Sequence, residues 1–177
     1  MKISKIFIFI VLITSLSSQA LAKDYIHQWC APNETVAEPA FISTPQVEHI
    51  NLSADALFKF NRHSSQDMLP QGKTTLDELA NNLMERQASI DSIALIGHTD
   101  RLGSERYNYE LGLKRAETVR DYLQEKGVRS PISIRSAGES EPITTDCVGE
   151  KNTAALQACL QPDRRVTVEI MGTVPAR

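Results

Sequence analysis

Between Ser89 and Gly127 the chain passes through an apolar stretch, SIDSIALIG, a polar turn, HTDRLG, and a long helical pattern, SERYNYELGLKRAETVRDYLQEKG. The apolar stretch has the length of a buried strand. The segment after the turn places Leu111, Ala116, Val119 and Leu123 on one face at helical spacing. Ser104 is suited to cap the start of that helix and Gly127 to stop it. A strand and a helix joined this tightly bury their apolar sides against each other, so the chain is constrained to a helix-on-sheet architecture.

The flanking segments extend the same pattern. INLSADALFKFN, from Ile50, alternates around Leu57, Phe58 and Phe60 and predicts a first strand. Pro70 and Gly72 punctuate the chain before TTLDELANNLMERQA, where Leu76, Leu79, Ala80 and Leu83 mark a helical face. PISIRSAG predicts a third strand and RRVTVEIMG a fourth. The order βαβαββ implies an α+β domain, a two-layer α/β sandwich with its helices on one sheet face, over residues 48–172, followed by a short tail at 173–177.

Lys2 and Lys5 precede IFIFIVLI, and Ala20, Leu21 and Ala22 offer small residues at signal-peptidase spacing, so residues 1–22 are expected to be a cleaved export signal. That apolar core is shorter than the roughly 20 residues of a membrane-spanning helix, and none is expected in the mature chain. Removing the two lysines takes the formal charge from −3 to −5. An acidic chain without a basic stripe is a poor partner for nucleic acid. Residues 23–47, with Pro32, Pro39 and Pro45, read as an extended arm carrying Trp29 and Cys30. Three cysteines in an exported chain allow one disulfide. The nearby pair, Cys147 and Cys159, is favoured, and such a loop would stabilise by roughly 3 kcal/mol. Cys30 then stays free, caps another chain or is modified.

Among the polar groups, Asp100 and Arg115 stand out. Asp100 lies just beyond a strand, where it can brace a turn or face a ligand, and Ser104 already serves as helix cap. Asn108 and Arg115 are seven residues apart, which puts both on one face of the helix. Asp100 and Arg115 could form a simple salt bridge, or could leave a gap that admits a zwitterion, the carboxylate holding an ammonium and the guanidinium a carboxylate. His98 has no nucleophile placed beside it, and the chain carries neither a nucleophile elbow nor paired metal ligands, so neither catalysis nor a metal or other cofactor is expected. Arg164 and Arg165, at the start of the last strand, read as structural pairing partners.

Several separated segments carry a resemblance. IGHTDRLGSERYNYELGLKRAETVRDYL closely resembles the signature of OmpA-like peptidoglycan-binding domains, with LFKFN similar to their first strand, SAGESEP to the turn after the third and PDRRVTVEI to the last. Cys147, Cys159 and the intervening KNTAALQAC are similar to a disulfide-bearing insert found in some members. The resemblance implies a mixed four-stranded sheet and a non-covalent grip on meso-diaminopimelate of the cell-wall stem peptide. Asp100 would hold its ammonium and Arg115 its carboxylate, helped by backbone amides from Thr99 to Leu102. Asn108 and Asn61 would add polar contacts, and Leu111 would pack on the aliphatic chain. It further implies a periplasmic protein, at or near the outer membrane, that tethers that membrane or a partner complex to the wall. The family's small periplasmic members also suggest a porin or other envelope protein as partner of residues 23–47, with wall binding then secondary, and pairing of two copies through the arm.

Overall fold

The computed structural model describes residues 44–174. The expected export signal, Trp29, Cys30, the arm up to residue 43 and residues 175–177 lie outside the described residues.

Four strands form one mixed sheet in the order β1-β4-β2-β3. Strand β1 (Thr44–Ser53) pairs antiparallel with β4 (Arg165–Val174), β4 antiparallel with β2 (Ile90–His98), and β2 parallel with β3 (Ile132–Gly138). A parallel pair needs a crossover, and α3 (Glu105–Glu125) supplies it between β2 and β3. Helices α1 (Ala54–Leu57) and α2 (Pro70–Glu85) connect β1 to β2, and α4 (Ala154–Cys159) lies in the β3–β4 connection. This is the α+β arrangement with a mixed four-stranded sheet that the sequence led us to expect.

The core forms where the helical stripes meet one face of the sheet. Leu76, Leu79, Ala80 and Leu83 of α2 and Ala116, Val119 and Leu123 of α3 are buried against Ile93 and Leu95 of β2 and Val166, Val168 and Ile170 of β4. Fully burying an aliphatic side chain of this kind contributes about 1.5–3 kcal/mol, and truncating one to alanine costs about 2–5 kcal/mol. Ser104 caps α3 as expected, its side chain accepting from Tyr107 N. After the last turn Gly127 adopts φ +106, a conformation that favours glycine and ends the helix.

The first strand differs from expectation. LFKFN is not a strand: Leu57 ends the short helix α1, and Phe58 makes an isolated bridge to Met68. Leu57 and Phe58 are buried all the same, so their apolar character reflects a turn that plugs the core rather than a pleat. The true β1 begins at Thr44 and pairs with β4 from Thr44↔Val174 to Ser53↔Arg165, so residues 44–47 and 173–174 belong to the sheet rather than to the arm and tail. Its residues 45–49 are exposed at the sheet edge, which removes the alternation that would betray a half-buried strand.

One glycine contact sets how closely α3 approaches the sheet. A Cβ on Gly97 would lie 1.8 Å from the Gly112 carbonyl oxygen, so only a glycine here lets the α3 backbone press against the end of β2. That approach brings the inner face of α3 up to the loop after β2.

Candidate functional site

The loop after β2 contributes Thr99, Asp100 and Leu102, and the inner face of α3 contributes Asn108, Leu111 and Arg115. The turn beyond α1 adds Phe60 and Asn61, and the chain around α4 and the start of β4 adds Asn152, Gln157 and Arg164. Together with Tyr107 these residues line a cavity of about 140 Å³. The structure thus brings all seven residues singled out in the sequence around one small space.

Asp100 is 8% exposed and doubly held. Its Oδ1 accepts from Leu102 N at 2.9 Å, closing the local turn, and its Oδ2 accepts from Arg164 Nη1 at 2.8 Å. Arg164 in turn donates through Nε and Nη2 to Asp55, the shorter contact at 2.6 Å, and through Nη1 to Gln157 O. Burial opposes the Arg164 charge, yet its hydrogen bonds to Asp55 and Asp100 outweigh that and raise its pKa. A carboxylate oxygen keeps further lone pairs after one hydrogen bond, so Asp100 can still accept from a ligand ammonium.

Arg115 is the opposite case. Only 2% exposed, it donates from Nε to Arg62 O at 3.1 Å, while its Nη1 is buried with no hydrogen-bond partner among the described residues. It forms no ion pair with Asp100, whose partner is Arg164 instead. Burial pushes its pKa down, and the more distant Asp55 and Asp100 only partly offset this. A buried guanidinium without a carboxylate partner is expensive, and the natural compensation is an anion from outside the chain. Thr99 Oγ1, also on the cavity wall, is a second buried polar atom without a partner among the described residues.

Other expected contacts are already committed. Asn108 Nδ2 donates to Asp100 O at 3.1 Å and to the Glu139 carboxylate, so this amide braces the loop instead of offering its donors to the cavity. The amides of Thr99 and Leu102 are also engaged, with Gly138 O and with Asp100, and are not free for a bound carboxylate. Asn61 holds φ +59, a conformation asparagine tolerates, and its Oδ1 accepts from Tyr107 Oη at 2.8 Å. Leu111 is a buried part of the wall.

By sequence Arg164 reads as a structural pairing residue; it is one, and it also lines the cavity. The exposed Arg101 donates from Nη2 to the carbonyls of Cys147 and Gly149. Cys147 and Cys159 are disulfide-bonded, so the loop that carries Asp100 is tied to the bonded insert. Tyr107, Asn152 and Gln157 carry no sequence signal and Phe60 reads only as part of an expected strand, because the position of each against the cavity depends on the tertiary fold. His98 faces elsewhere, its Nε2 3.2 Å from Thr167 Oγ1, and burial with the nearby Arg165 lowers its pKa to about 4. Among the described residues no group of three His, Cys, Asp or Glu side chains is placed to hold a metal, and no helix is long and apolar enough to cross a membrane.

The OmpA family model matches residues 58–155, more than half of the 177-residue chain. The chain belongs to the OmpA family. It is 41% identical over 139 residues to outer membrane protein A of Shigella flexneri, covering 77% of this chain and 39% of that protein. It is 43% identical over 141 residues to outer membrane protein A of Klebsiella pneumoniae, covering 77% of this chain and 40% of that one. The chain therefore spans well under two thirds of these relatives. Among solved structures, the peptidoglycan-associated lipoprotein of Burkholderia pseudomallei aligns with a TM-score of 0.50 at 27% identity, over 66% of this chain and 87% of that one. The periplasmic domain of Helicobacter pylori MotB aligns at 0.56 and 20% identity, over 72% and 77%, a likeness of fold alone. The OmpA-family fold accounts for the mixed sheet and for the crossover through α3.

Proposed function

We propose that this protein binds peptidoglycan non-covalently through the meso-diaminopimelate of its stem peptide, and so tethers the outer membrane or a partner complex to the wall from the periplasm. The free end of that residue is an α-amino acid zwitterion. Asp100 receives its ammonium and Arg115 its carboxylate, while Leu111 and the aromatic rim cover the aliphatic chain. The reading is carried by one observation: Arg115 is buried, without a carboxylate partner among the described residues, in the wall of the cavity that also holds Asp100. The similar Burkholderia protein is a peptidoglycan-associated lipoprotein, which agrees with it. The role is binding without chemistry.

Charge-assisted hydrogen bonds contribute about 1.5–3 kcal/mol each, partly offset by desolvation, so one site should bind modestly. The wall repeats its stem peptide, and pairing of copies through the arm would add avidity. The alternative reading, a porin- or secretion-associated protein with secondary wall binding, rests on residues 23–47, most of which lie outside the described residues. Co-sedimentation with isolated sacculi tests the proposal. Asp100→Asn and Arg115→Met, each shown to be folded by circular dichroism, should sediment at least about tenfold less than wild type. Wild-type sedimentation by both variants would refute it.

A further inference from the structure

Beside the cavity lies a second, larger recess of about 420 Å³, walled by the loop after α1 and the outer side of α3. The two spaces share Phe60, Asn61, Tyr107 and Leu111, so they adjoin across these four residues. The second space carries its own charge pattern. Its two acids are already matched inside the chain: Asp67 accepts from Ser64 Oγ at 2.7 Å and lies 3.9 Å from Lys59 Nζ, and Glu110 pairs with Arg106 at 3.1 Å. Its cations are not matched. Neither the Arg62 guanidinium nor the Lys114 ammonium has an ion-pair partner among the described residues. His63 lines the same recess, and its pKa is lowered by burial first and then by Lys114, Arg115 and Arg62, against an opposing contribution from Asp67. Arg62 and Lys114 therefore stand in this recess without an ion-pair partner among the described residues, and Arg115 lines the adjoining cavity.

We infer that this recess is a second anionic subsite, in which Lys114 and Arg62 receive a carboxylate belonging to the residue that precedes the clamped one in the same peptide. The inference rests on the diaminopimelate reading and extends it along the ligand. In the stem peptide that preceding residue is a γ-linked D-glutamate, whose α-carboxylate stays free when the γ-carboxyl forms the peptide bond. In the proposed seating, with its zwitterion between Asp100 and Arg115, the ligand leaves the cavity over the shared rim, where Phe60, 64% exposed, and Tyr107 offer flat apolar contact to the aliphatic link. The two cations beyond that rim then meet the next negative charge on the chain. The same recess would discriminate against stem peptides whose glutamate is amidated.

Calorimetric titration of the full mature chain with three probes tests this. These are meso-diaminopimelate alone, the tripeptide L-Ala-γ-D-Glu-meso-diaminopimelate, and the same tripeptide with the glutamate α-carboxylate amidated. The acid tripeptide should bind about five- to tenfold tighter than its amide. Lys114→Gln and Arg62→Gln, both at exposed residues, should erase that difference and leave the affinity for diaminopimelate alone unchanged. Equal affinity of wild type for acid and amide tripeptides, with diaminopimelate still bound, would overturn the subsite and leave the clamp standing. Failure of wild type to bind any of the three would overturn both.

Discussion

Two buried arginines line one cavity, and they are solved in opposite ways. Arg164, at the start of β4, is saturated: Asp55, Asp100 and the Gln157 carbonyl take its donors, and its pKa is raised. Arg115, on α3, is more deeply buried, has a lowered pKa and leaves Nη1 without a partner among the described residues. The Arg164 side is architecture. It fixes Asp100, closes the β4 start onto α1, and is tied through Arg101 to the disulfide-bonded insert. On the proposed function the Arg115 side is a charge held for a ligand at a cost in stability, unlike the structural ion pair of Arg164. Asp100 joins the two, with one oxygen in the scaffold turn, the other on Arg164, and lone pairs left over for a ligand.

The same substitution at both positions is the sharpest way to break this comparison. Arg164→Met should cost about 3 kcal/mol, since it strands the buried Asp100 and the partly buried Asp55 as unpaired carboxylates. Chemical denaturation measures this, and a loss under about 1 kcal/mol would mean that the network is not structural. Similar in size is the disulfide. Replacing Cys147 and Cys159 with serine should cost about 3 kcal/mol for a bridge with a sequence separation of 12. It should also weaken ligand binding several-fold, because the insert supplies Asn152 and Gln157 to the cavity and the carbonyls that anchor Arg101. Unchanged affinity in the folded serine variant would separate the insert from the clamp.

His98 gives a pH signature to the scaffold side. Its pKa in the fold, about 4, lies below the ordinary value of 6.5, because burial and Arg165 disfavour the cation. The fold therefore favours neutral His98, so its contribution is fully present above about pH 6.5 and is lost as the pH falls from there towards 4. The loss should reach about 3 kcal/mol and should flatten in His98→Gln, as read by urea midpoints across that range. An unchanged pH slope in the variant would place the titration elsewhere. Smallest of all should be the stability effect of Arg115→Met: no loss, or a gain of up to about 1 kcal/mol, because a buried unpaired charge is exchanged for an apolar side chain of similar length.

The two sides also differ in how far the sequence revealed them. Periodicity located α2, α3 and the last three strands, because their apolar faces repeat at the spacing the fold uses. It failed at β1, where the strand is exposed at the sheet edge and the nearby apolar cluster of Leu57 and Phe58 fills the core from a turn. Asp100, Asn108 and Arg115 were legible together because one strand end and one helix face carry them. The Arg164 network was not, since its partners Asp100 and Asp55 lie 64 and 109 residues away. No local pattern can reveal such a pairing. Nor did spacing show that the donors of Asn108 are already committed to Asp100 O and Glu139, which only the packed loop decides.

The central claim is that Arg115 is kept unpaired for a carboxylate brought by the ligand. Calorimetric titration of meso-diaminopimelate into wild type and Arg115→Met tests it directly, with thermal unfolding run on both. The account predicts saturable binding by wild type and at least a tenfold loss in a variant that unfolds at the same temperature or higher. Wild-type affinity in a folded Arg115→Met variant would contradict it.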